Sequence, residues 1–171
     1  MSLINKAKDG DLEALSKLIE QSELILYKTA KAILNNEEDV RDAIQEALTN
    51  IYLNLKDLKE EKYFKTWATR IVINKCYDII NKNDLNNKKI DKAKKVHVIE
   101  GNDNWENNLE QQTQLENALN SIDEKLKLIT VMYYYNNFKV KEISKILNIP
   151  EGTVKYNLSK AREELYKLLN K

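Results

Sequence analysis

A basic helix face follows the sharpest interruption in the chain. Residues 147–162, LNIPEGTVKYNLSKAR, hold the only proline, Pro150, and one of three glycines, Gly152, between two amphipathic patterns. Cationic side chains and the free backbone N–H groups at a helix start both bind phosphate. A helix that is broken and redirected over a few residues is typical of a helix-turn-helix, which presents its second helix to DNA. The cations of that second helix are Lys155, Lys160 and Arg162.

The second helix of this motif separates an apolar face from a polar one. Its apolar residues recur three or four positions apart, which predicts one buried stripe. They are Val154, Leu158, Ala161, Leu165 and Leu168. We expect the helix start to contact phosphate and the middle of the polar face to reach base edges in the major groove. The candidate DNA-binding residues are Thr153, Lys155, Tyr156, Ser159, Lys160 and Arg162.

Charge is distributed unevenly along the chain. Residues 37–61 carry eight acidic and three basic side chains, a net charge of −5, which excludes this segment as the main phosphate-binding surface. Residues 139–171 carry eight basic and four acidic side chains, a net charge of +4. The whole chain has a net charge of only +1. Because a free-standing DNA-binding protein usually has a clear positive excess, we expect a partner to assist any DNA binding.

Composition restricts the fold class and the chemistry. Three glycines and one proline in 171 residues predict an all-α protein. The single cysteine, Cys76, excludes an internal disulfide and a CxxC zinc site, and its place in an apolar pattern predicts a half-buried packing residue. The sequence shows no Gly-rich phosphate loop, catalytic triad or metal-ligand cluster, so we expect no catalysis, no cofactor and no metal. Without a run of 18 apolar residues, it predicts a cytoplasmic protein that does not insert into a membrane.

Apolar periodicity predicts three helices in the first half of the chain. The capping group Asp9-Gly10-Asp11 begins a helix that continues to about Leu34. A second helix begins near Glu37, and a third extends from about Phe64 to Asn81. These helices predict an N-terminal bundle over residues 1–82.

The second half begins with a segment that has no helical period. Residues 83–112 are polar and rich in Asn and Lys, which is typical of a flexible linker rather than of a loop within a compact domain. Helical order returns near Gln114, and Asn148 is expected to end one helix in a left-handed conformation. Pro150 is expected in the first turn of the next helix. The helix-turn-helix domain is therefore predicted over residues 113–171.

Three segments together resemble the sigma factors of bacterial RNA polymerase. EDVRDAIQEALTNIYLNL is similar to their core-binding helix, whose Asp-x-x-Gln-Glu signature corresponds to Asp42, Gln45 and Glu46. FKTWATRIVINKCYDII resembles the helix that melts and reads the −10 promoter element, and IPEGTVK with AREEL resembles the domain that reads the −35 element. Two domains without a third between them resemble the extracytoplasmic-function (ECF) subgroup of the sigma-70 family.

The resemblance implies partners and a role for each surface. It implies binding to the clamp and flap elements of core polymerase, binding to promoter DNA, and control by a membrane-anchored anti-sigma factor. The residues implied for core binding are Asp39, Asp42, Gln45 and Glu46. The residues implied for the −10 element are Tyr63, Lys65, Arg70, Asn74 and Lys75, with Trp67 mainly packing. In the −35 domain, Tyr156 and Asn157 replace the usual Ser-Arg pair, and both are expected to face the DNA.

Two other interpretations fit parts of the pattern. The chain could be a stand-alone helix-turn-helix regulator whose N-terminal domain senses a ligand or dimerises, and an apolar pocket or a dimer surface would favour that function. A purely structural helical adaptor would leave the basic helix unexplained. The acidic core-binding motif and the linker favour a sigma factor over both.

Overall fold

The computed structural model describes residues 2–89 and 109–170, with side chains at 2–85 and 113–170. Over these ranges the chain is helical and contains no strand. Two short 3₁₀ turns, Leu55–Asp57 and Glu61–Tyr63, precede α5, and a π-helical segment, Val131–Tyr135, continues α7. The helices are α1 Leu3–Lys8, α2 Leu12–Glu20, α3 Glu23–Ile33, α4 Glu37–Asn54, α5 Phe64–Lys89, α6 Leu109–Ser121, α7 Glu124–Thr130, α8 Val140–Leu147 and α9 Glu151–Leu169.

Side-chain caps define several helix starts. The Asp11 carboxylate accepts a hydrogen bond from the Ala14 amide at 3.0 Å, and the Asn36 side chain accepts one from the Glu38 amide at 2.8 Å. Gly10, at φ +97°, connects α1 to α2 in a conformation that favours glycine. The helix expected between this cap and Leu34 is two helices, because α2 packs on α1 whereas α3 packs on α4 and α5.

The N-terminal domain, α1–α5, is built around α3, α4 and α5. Apolar residues of α4 face the core, and Val40, Ala47 and Ile51 are fully buried. Helix α5 continues to Lys89, beyond the predicted end at Asn81. Residues 81–85 are exposed, so this part of the helix needs no apolar period and shows none in the sequence. None of the helices in the described ranges combines the length and apolar character needed to cross a membrane.

The C-terminal domain, α6–α9, contains the predicted helix-turn-helix. Asn148 ends α8 at φ +53°, the left-handed cap expected from the sequence. The Ser144 hydroxyl donates to the Ile149 carbonyl oxygen at 2.6 Å and holds the turn. Pro150 is the N-cap of α9 rather than a residue of its first turn. The all-α class and the two helical domains are confirmed, while most of the expected linker, residues 90–108, lies outside the described residues.

The two domains pack on each other. Helix α3 contacts α7 and the π-helical segment, and α5 contacts α8. Buried apolar residues of both domains form one cluster, which joins Leu26 and Val72 to Ile129, Met132 and Ile143. Helix α6 packs separately on α9 through a smaller cluster that includes Leu119 and Ala161. The described residues therefore form a closed arrangement in which one core serves both domains.

Candidate nucleic-acid interface

The outer face of α9 carries the residues predicted for duplex DNA. Lys155, Tyr156, Ser159, Lys160 and Arg162 are exposed, and Thr153 is half-buried in the first turn. Asn157, expected to face the DNA with Tyr156, is instead only 8% exposed. Its Nδ2 is buried without a hydrogen-bond partner among the described residues. The expectation for Asn157 is therefore wrong, because the helical period places it with Val154 and Leu158 on the buried stripe.

The first turn of α9 is open to an approaching anion. Pro150 makes no side-chain cap, so no described side chain caps the first amides of α9. A Cβ placed on Gly152 would meet no described heavy atom within 4 Å. The half-buried Thr153 stands at the same turn. The uncapped amides of this turn and the lack of a side chain on Gly152 together allow a phosphate to approach closely.

Ion pairing leaves part of the α9 charge available. Lys160 lies 3.9 Å from the Glu164 carboxylate on the next turn. Lys167, nearer the end of the helix, pairs with Glu163 at 2.6 Å. Among the described residues, no carboxylate lies within 4 Å of the Lys155 or Arg162 cation. These two cations are therefore free to contact DNA phosphates.

The acidic face predicted for polymerase binding is a continuous surface of α4. Asp42, Gln45 and Glu46 are exposed one turn apart, and Asp39 is half-buried beside them. The Asp39 carboxylate accepts a hydrogen bond from Asn83 Nδ2 at 3.4 Å. The four residues lie at i, i+3, i+6 and i+7, which brings their side chains together along one side of the helix.

The residues predicted for the −10 element lie along α5 and the turn before it. Tyr63, Arg70 and Asn74 are exposed, whereas Lys65 and Lys75 are half-buried. The Lys75 ammonium lies 3.5 Å from the Glu46 carboxylate and 3.5 Å from that of Asp78. The Lys62 ammonium lies 4.9 Å from the centre of the Tyr63 ring. The candidate −10 surface is therefore directly beside the acidic face of α4.

Arg70 and Lys65 also contact the C-terminal domain. The Arg70 guanidinium donates to the carbonyl oxygens of Lys145 at 2.5 Å and Ile146 at 3.3 Å, at the end of α8. The Lys65 ammonium lies 5.5 Å from the centre of the buried Phe138 ring. The sequence patterns do not reveal these contacts, since they join residues more than 70 positions apart.

Two residues beneath the −10 surface are structural. Trp67 is half-buried, packs on the core and lies 6.2 Å from Phe64 between ring centres, which confirms its packing role. Cys76 is fully buried rather than half-buried, because it faces the interior of the α3–α4–α5 packing. Burial raises the pKa of the Cys76 thiol to about 12, so the thiol stays protonated in the folded protein.

Family models match both domains. A model described as Sigma-70 region 2 matches residues 18–85, and one described as Sigma-70, region 4 matches residues 112–165. Together the two matched segments cover more than half of the chain and contain every residue discussed above as a candidate contact.

Relatives are similar over nearly the whole length. The ECF RNA polymerase sigma factor SigW of Bacillus subtilis is 28% identical, over 97% of this chain and 94% of that protein. The ECF RNA polymerase sigma-E factor of Escherichia coli (strain K12) is 25% identical, over 95% of this chain and 90% of that protein.

Solved structures share the fold. The sigma factor RpoE in complex with the anti-sigma factor NepR, from Bartonella quintana, superposes with a TM-score of 0.77 at 18% identity and covers 91% of this chain and 96% of its own. CnrH in complex with the cytosolic domain of CnrY superposes with a TM-score of 0.70 at 19% identity and covers 98% of this chain and 95% of its own.

The order of the two regions, the acidic face of α4 and the open start of α9 agree with these similarities. The structural features and the similarities together do not favour the alternative of a stand-alone helix-turn-helix regulator. The chain belongs to the sigma-70 family and is an ECF sigma factor, a subunit that directs RNA polymerase to promoters.

Proposed function

We propose that three surfaces of this sigma factor divide the work of promoter recognition. The acidic face of α4, with Asp39, Asp42, Gln45 and Glu46, binds a basic element of the core polymerase clamp. The α5 surface contacts the melted −10 strand through Tyr63, Lys65, Arg70, Asn74 and Lys75. The outer face of α9 contacts the −35 duplex through Thr153, Lys155, Tyr156, Ser159, Lys160 and Arg162. All but four of these side chains are exposed, which supports the assignment; the half-buried ones are Asp39, Lys65, Lys75 and Thr153.

The observation that carries this proposal is the separation of charge between two exposed helix faces. The α4 face presents carboxylates, and the α9 face presents ammonium and guanidinium groups. Carboxylates repel phosphate and complement a basic protein partner, where they increase the encounter rate and set the orientation of binding. The cations of α9 release counterions from duplex DNA. Each face therefore suits one of the two partners.

The remaining assignments follow from the family. The C-terminal domain is proposed to contact the flap element of the core. An anti-sigma factor anchored in the membrane is proposed as the negative regulator, on the basis of the family resemblance. One structural neighbour was solved with the anti-sigma factor NepR, and the other with the cytosolic domain of CnrY. Sigma factors are transcription initiation factors rather than enzymes, and we propose no catalytic role, cofactor or metal for this chain. Its place of action is the cytoplasm, where polymerase and promoters are found.

Reconstituted transcription tests the assignment of α4. Purified chain is combined with Bacillus subtilis core polymerase and a promoter library, and RNA products identify the sequences used. Asp42→Lys with Glu46→Lys should reduce both core affinity and transcript yield by more than tenfold, because both reversed charges lie on the proposed contact. The matched control reverses Asp9 and Glu13, two exposed acidic residues on the α1–α2 side, and changes the net charge equally.

The control separates a local contact from a general charge effect. Equal losses in the two double variants would reject the α4 assignment. Absence of promoter-specific transcripts with the unmodified chain would reject this division of roles with the chosen core.

A further inference from the structure

An exposed loop leads into α5. Residues 59–63 are all exposed, and they lie between two buried apolar residues, Leu58 and Phe64. The second 3₁₀ turn, Glu61–Tyr63, forms the last part of this loop. We call residues 58–63 the pre-α5 loop. Because the core encloses none of its five exposed side chains, the conformation of the loop depends on its two ends and on its own polar contacts.

Contacts within the pre-α5 loop set the position of one aromatic ring. The Lys62 ammonium pairs with the Glu60 carboxylate at 2.6 Å and lies 4.9 Å from the centre of the Tyr63 ring. The Tyr63 amide donates to the Glu60 carbonyl oxygen at 3.1 Å. Tyr63 keeps 44% of its surface in solvent, so its ring is available to a ligand. These contacts hold the ring relative to the loop, but they do not hold the loop relative to the domain.

The first end of the loop is held by a side chain of α1. The Lys8 ammonium donates a hydrogen bond to the carbonyl oxygen of Leu58. In the ranges that the structure describes, no backbone amide donates to that oxygen, so Lys8 supplies its donor. The two residues lie 50 positions apart in the chain, and helical spacing therefore does not predict this contact.

Apolar packing holds α1 against the same end of the loop. Ile4 and Ala7 of α1 are buried and belong to the cluster that contains Leu58. Helix α1 also packs on the first 3₁₀ turn, Leu55–Asp57, which directly precedes the loop. Lys8 follows Ile4 by one helical turn and is half-buried, which suits an aliphatic stem that packs along this face while the ammonium reaches the carbonyl. Helix α1 is therefore a support for the pre-α5 loop.

We propose that Lys8 is a positioning residue for the −10 surface: it fixes the Leu58 end of the pre-α5 loop and so holds the Tyr63 ring where the ring stacks on an unpaired base. Stacking requires the ring in position and tolerates different bases, because every base has a flat π-face. In this role the Lys8 ammonium contacts the loop and not the DNA. The DNA half of this inference rests on the proposed function, whereas the support of the loop by α1 does not.

Lys8→Met is the variant that releases the loop. Methionine keeps a long unbranched side chain but has no donor for the Leu58 carbonyl oxygen. Lys6→Met is the matched control, because it removes the same charge from an exposed position in the last turn of α1. Lys8→Arg supplies a donor again and should restore each property that Lys8→Met loses. Failure of Lys8→Arg to restore any of them would overturn the role of Lys8 as a donor.

Hydrogen–deuterium exchange followed by mass spectrometry measures the support of the loop in the full chain without DNA. Amides of the pre-α5 loop should exchange about threefold to tenfold faster in Lys8→Met, because a hydrogen bond from a charged group is lost. Lys6→Met should exchange like the unmodified chain. Amides of α3, which packs on α4 and α5, should keep their rates and so report that the domain stays folded. Unchanged exchange of the loop in Lys8→Met would overturn the proposal.

Fluorescence anisotropy with a labelled 12-nucleotide single strand of mixed sequence measures the effect on the −10 surface. Tyr63→Ala removes the ring and should weaken strand binding by about tenfold. Lys8→Met should weaken it by about threefold to tenfold, because the ring is present but less often in position. Lys6→Met should weaken it by less than about twofold, since a distant exposed charge is screened by salt. Binding of a mixed-sequence duplex should change by less than about twofold in every variant, because α9 is unaltered.

A double variant separates positioning of the ring from a general loss of stability. If Lys8 acts through Tyr63, adding Lys8→Met to a chain that carries Tyr63→Ala should cause no further loss of strand affinity. Additive losses would overturn the positioning role.

The inference and the proposed function fail in different ways. If Tyr63→Ala weakens strand binding and Lys8→Met does not, the proposed function stands and the positioning by Lys8 is overturned. If Tyr63→Ala leaves strand binding unchanged, the proposed −10 contact of Tyr63 fails, and the DNA half of this inference fails with it. Faster loop exchange in Lys8→Met would in that case still support the hold of α1 on the loop.

Discussion

The Lys75 ammonium lies 3.5 Å from the Glu46 carboxylate, so an ion pair joins the candidate −10 surface to the candidate polymerase-binding face. Lys75 has a second carboxylate neighbour, Asp78, at the same distance on its own helix. One lysine thus connects two surfaces that the proposed function assigns to different partners. The two carboxylates allow the roles to be separated experimentally.

Neutralising each carboxylate should give different results. Glu46→Gln should weaken core binding and strengthen single-strand binding, because it removes a polymerase contact and frees Lys75. Asp78→Asn frees Lys75 in the same way and should strengthen single-strand binding alone. The expected change in strand affinity is about twofold to fivefold, the range of an exposed ion pair. Anisotropy with the strand and with labelled core measures both, and equal core affinity in the two variants would contradict the assignment of Glu46.

Lysines on the outer face of α9 should contribute to duplex binding because their ammonium groups neutralise DNA phosphates. Lys155→Ala should weaken −35 duplex binding and reduce the slope of log affinity against log salt by about one for a single phosphate contact. Lys167→Ala serves as the control, since Lys167 lies near the helix end and pairs with Glu163. Titrations at several salt concentrations measure the slope. An equal reduction for both lysines would mean that only the overall charge matters.

The side-chain amide of Asn74 on α5 should affect promoter melting and not binding of the −35 duplex. Asn74 is exposed on the candidate −10 surface, so Asn74→Ala should reduce permanganate reactivity of the melted strand and spare −35 binding. Asn81→Ala, another exposed amide of the same helix, is the control. Two results together would contradict the roles proposed for the two domains. They are normal promoter opening by Asn74→Ala and loss of melting on a pre-opened template in Lys155→Ala.

Alanine substitutions at two glycines test whether a DNA phosphate approaches the start of α9 closely. The Cβ added by Gly152→Ala meets no described heavy atom within 4 Å in the free protein. The free energy of unfolding of this variant should therefore stay the same or rise by less than about 1 kcal/mol. If a phosphate lies against this turn, the added methyl group should weaken −35 binding by about tenfold. Gly10→Ala is the opposite case, because φ +97° makes alanine strained there. It should lose stability in urea unfolding and leave the DNA affinity of the folded protein unchanged.

The buried Cys76 thiol should report on opening of the N-terminal core. Its pKa is raised to about 12 by burial, so a thiol reagent at pH 8 should label the native chain far more slowly than the urea-unfolded chain. Above the ordinary thiol pKa near 9, the unfolded chain loses this proton while the folded chain keeps it. Stability should therefore fall as the pH rises past about 9. Cys76→Ala should remove that part of the pH dependence, and rapid native labelling would contradict the burial.

Local patterns were sufficient for much of the fold. The start of α4 near Glu37 follows from apolar spacing, because packing of one helix face requires residues three and four apart. The left-handed Asn148 follows from the preference of asparagine for that conformation. The division between α2 and α3 does not follow, since both halves carry apolar residues and only their different neighbours separate them. The end of α5 was also missed, because an exposed helix has no apolar period.

By itself, the sequence determined the all-α class, the order of the two regions and the residues on the faces of α4 and α9, since residue type and helical spacing are local properties. The same helical spacing was also sufficient to predict that Asn157 lies on the buried stripe of α9. Only the tertiary structure decided that Arg70 donates to the end of α8 and that Asn136 pairs with Thr29. Such pairs join residues 75 to 107 positions apart, and no local period encodes which helix faces meet across two domains. That choice depends on the combined burial of apolar surface and on the hydrogen bonds that enclosed polar groups make across the contact.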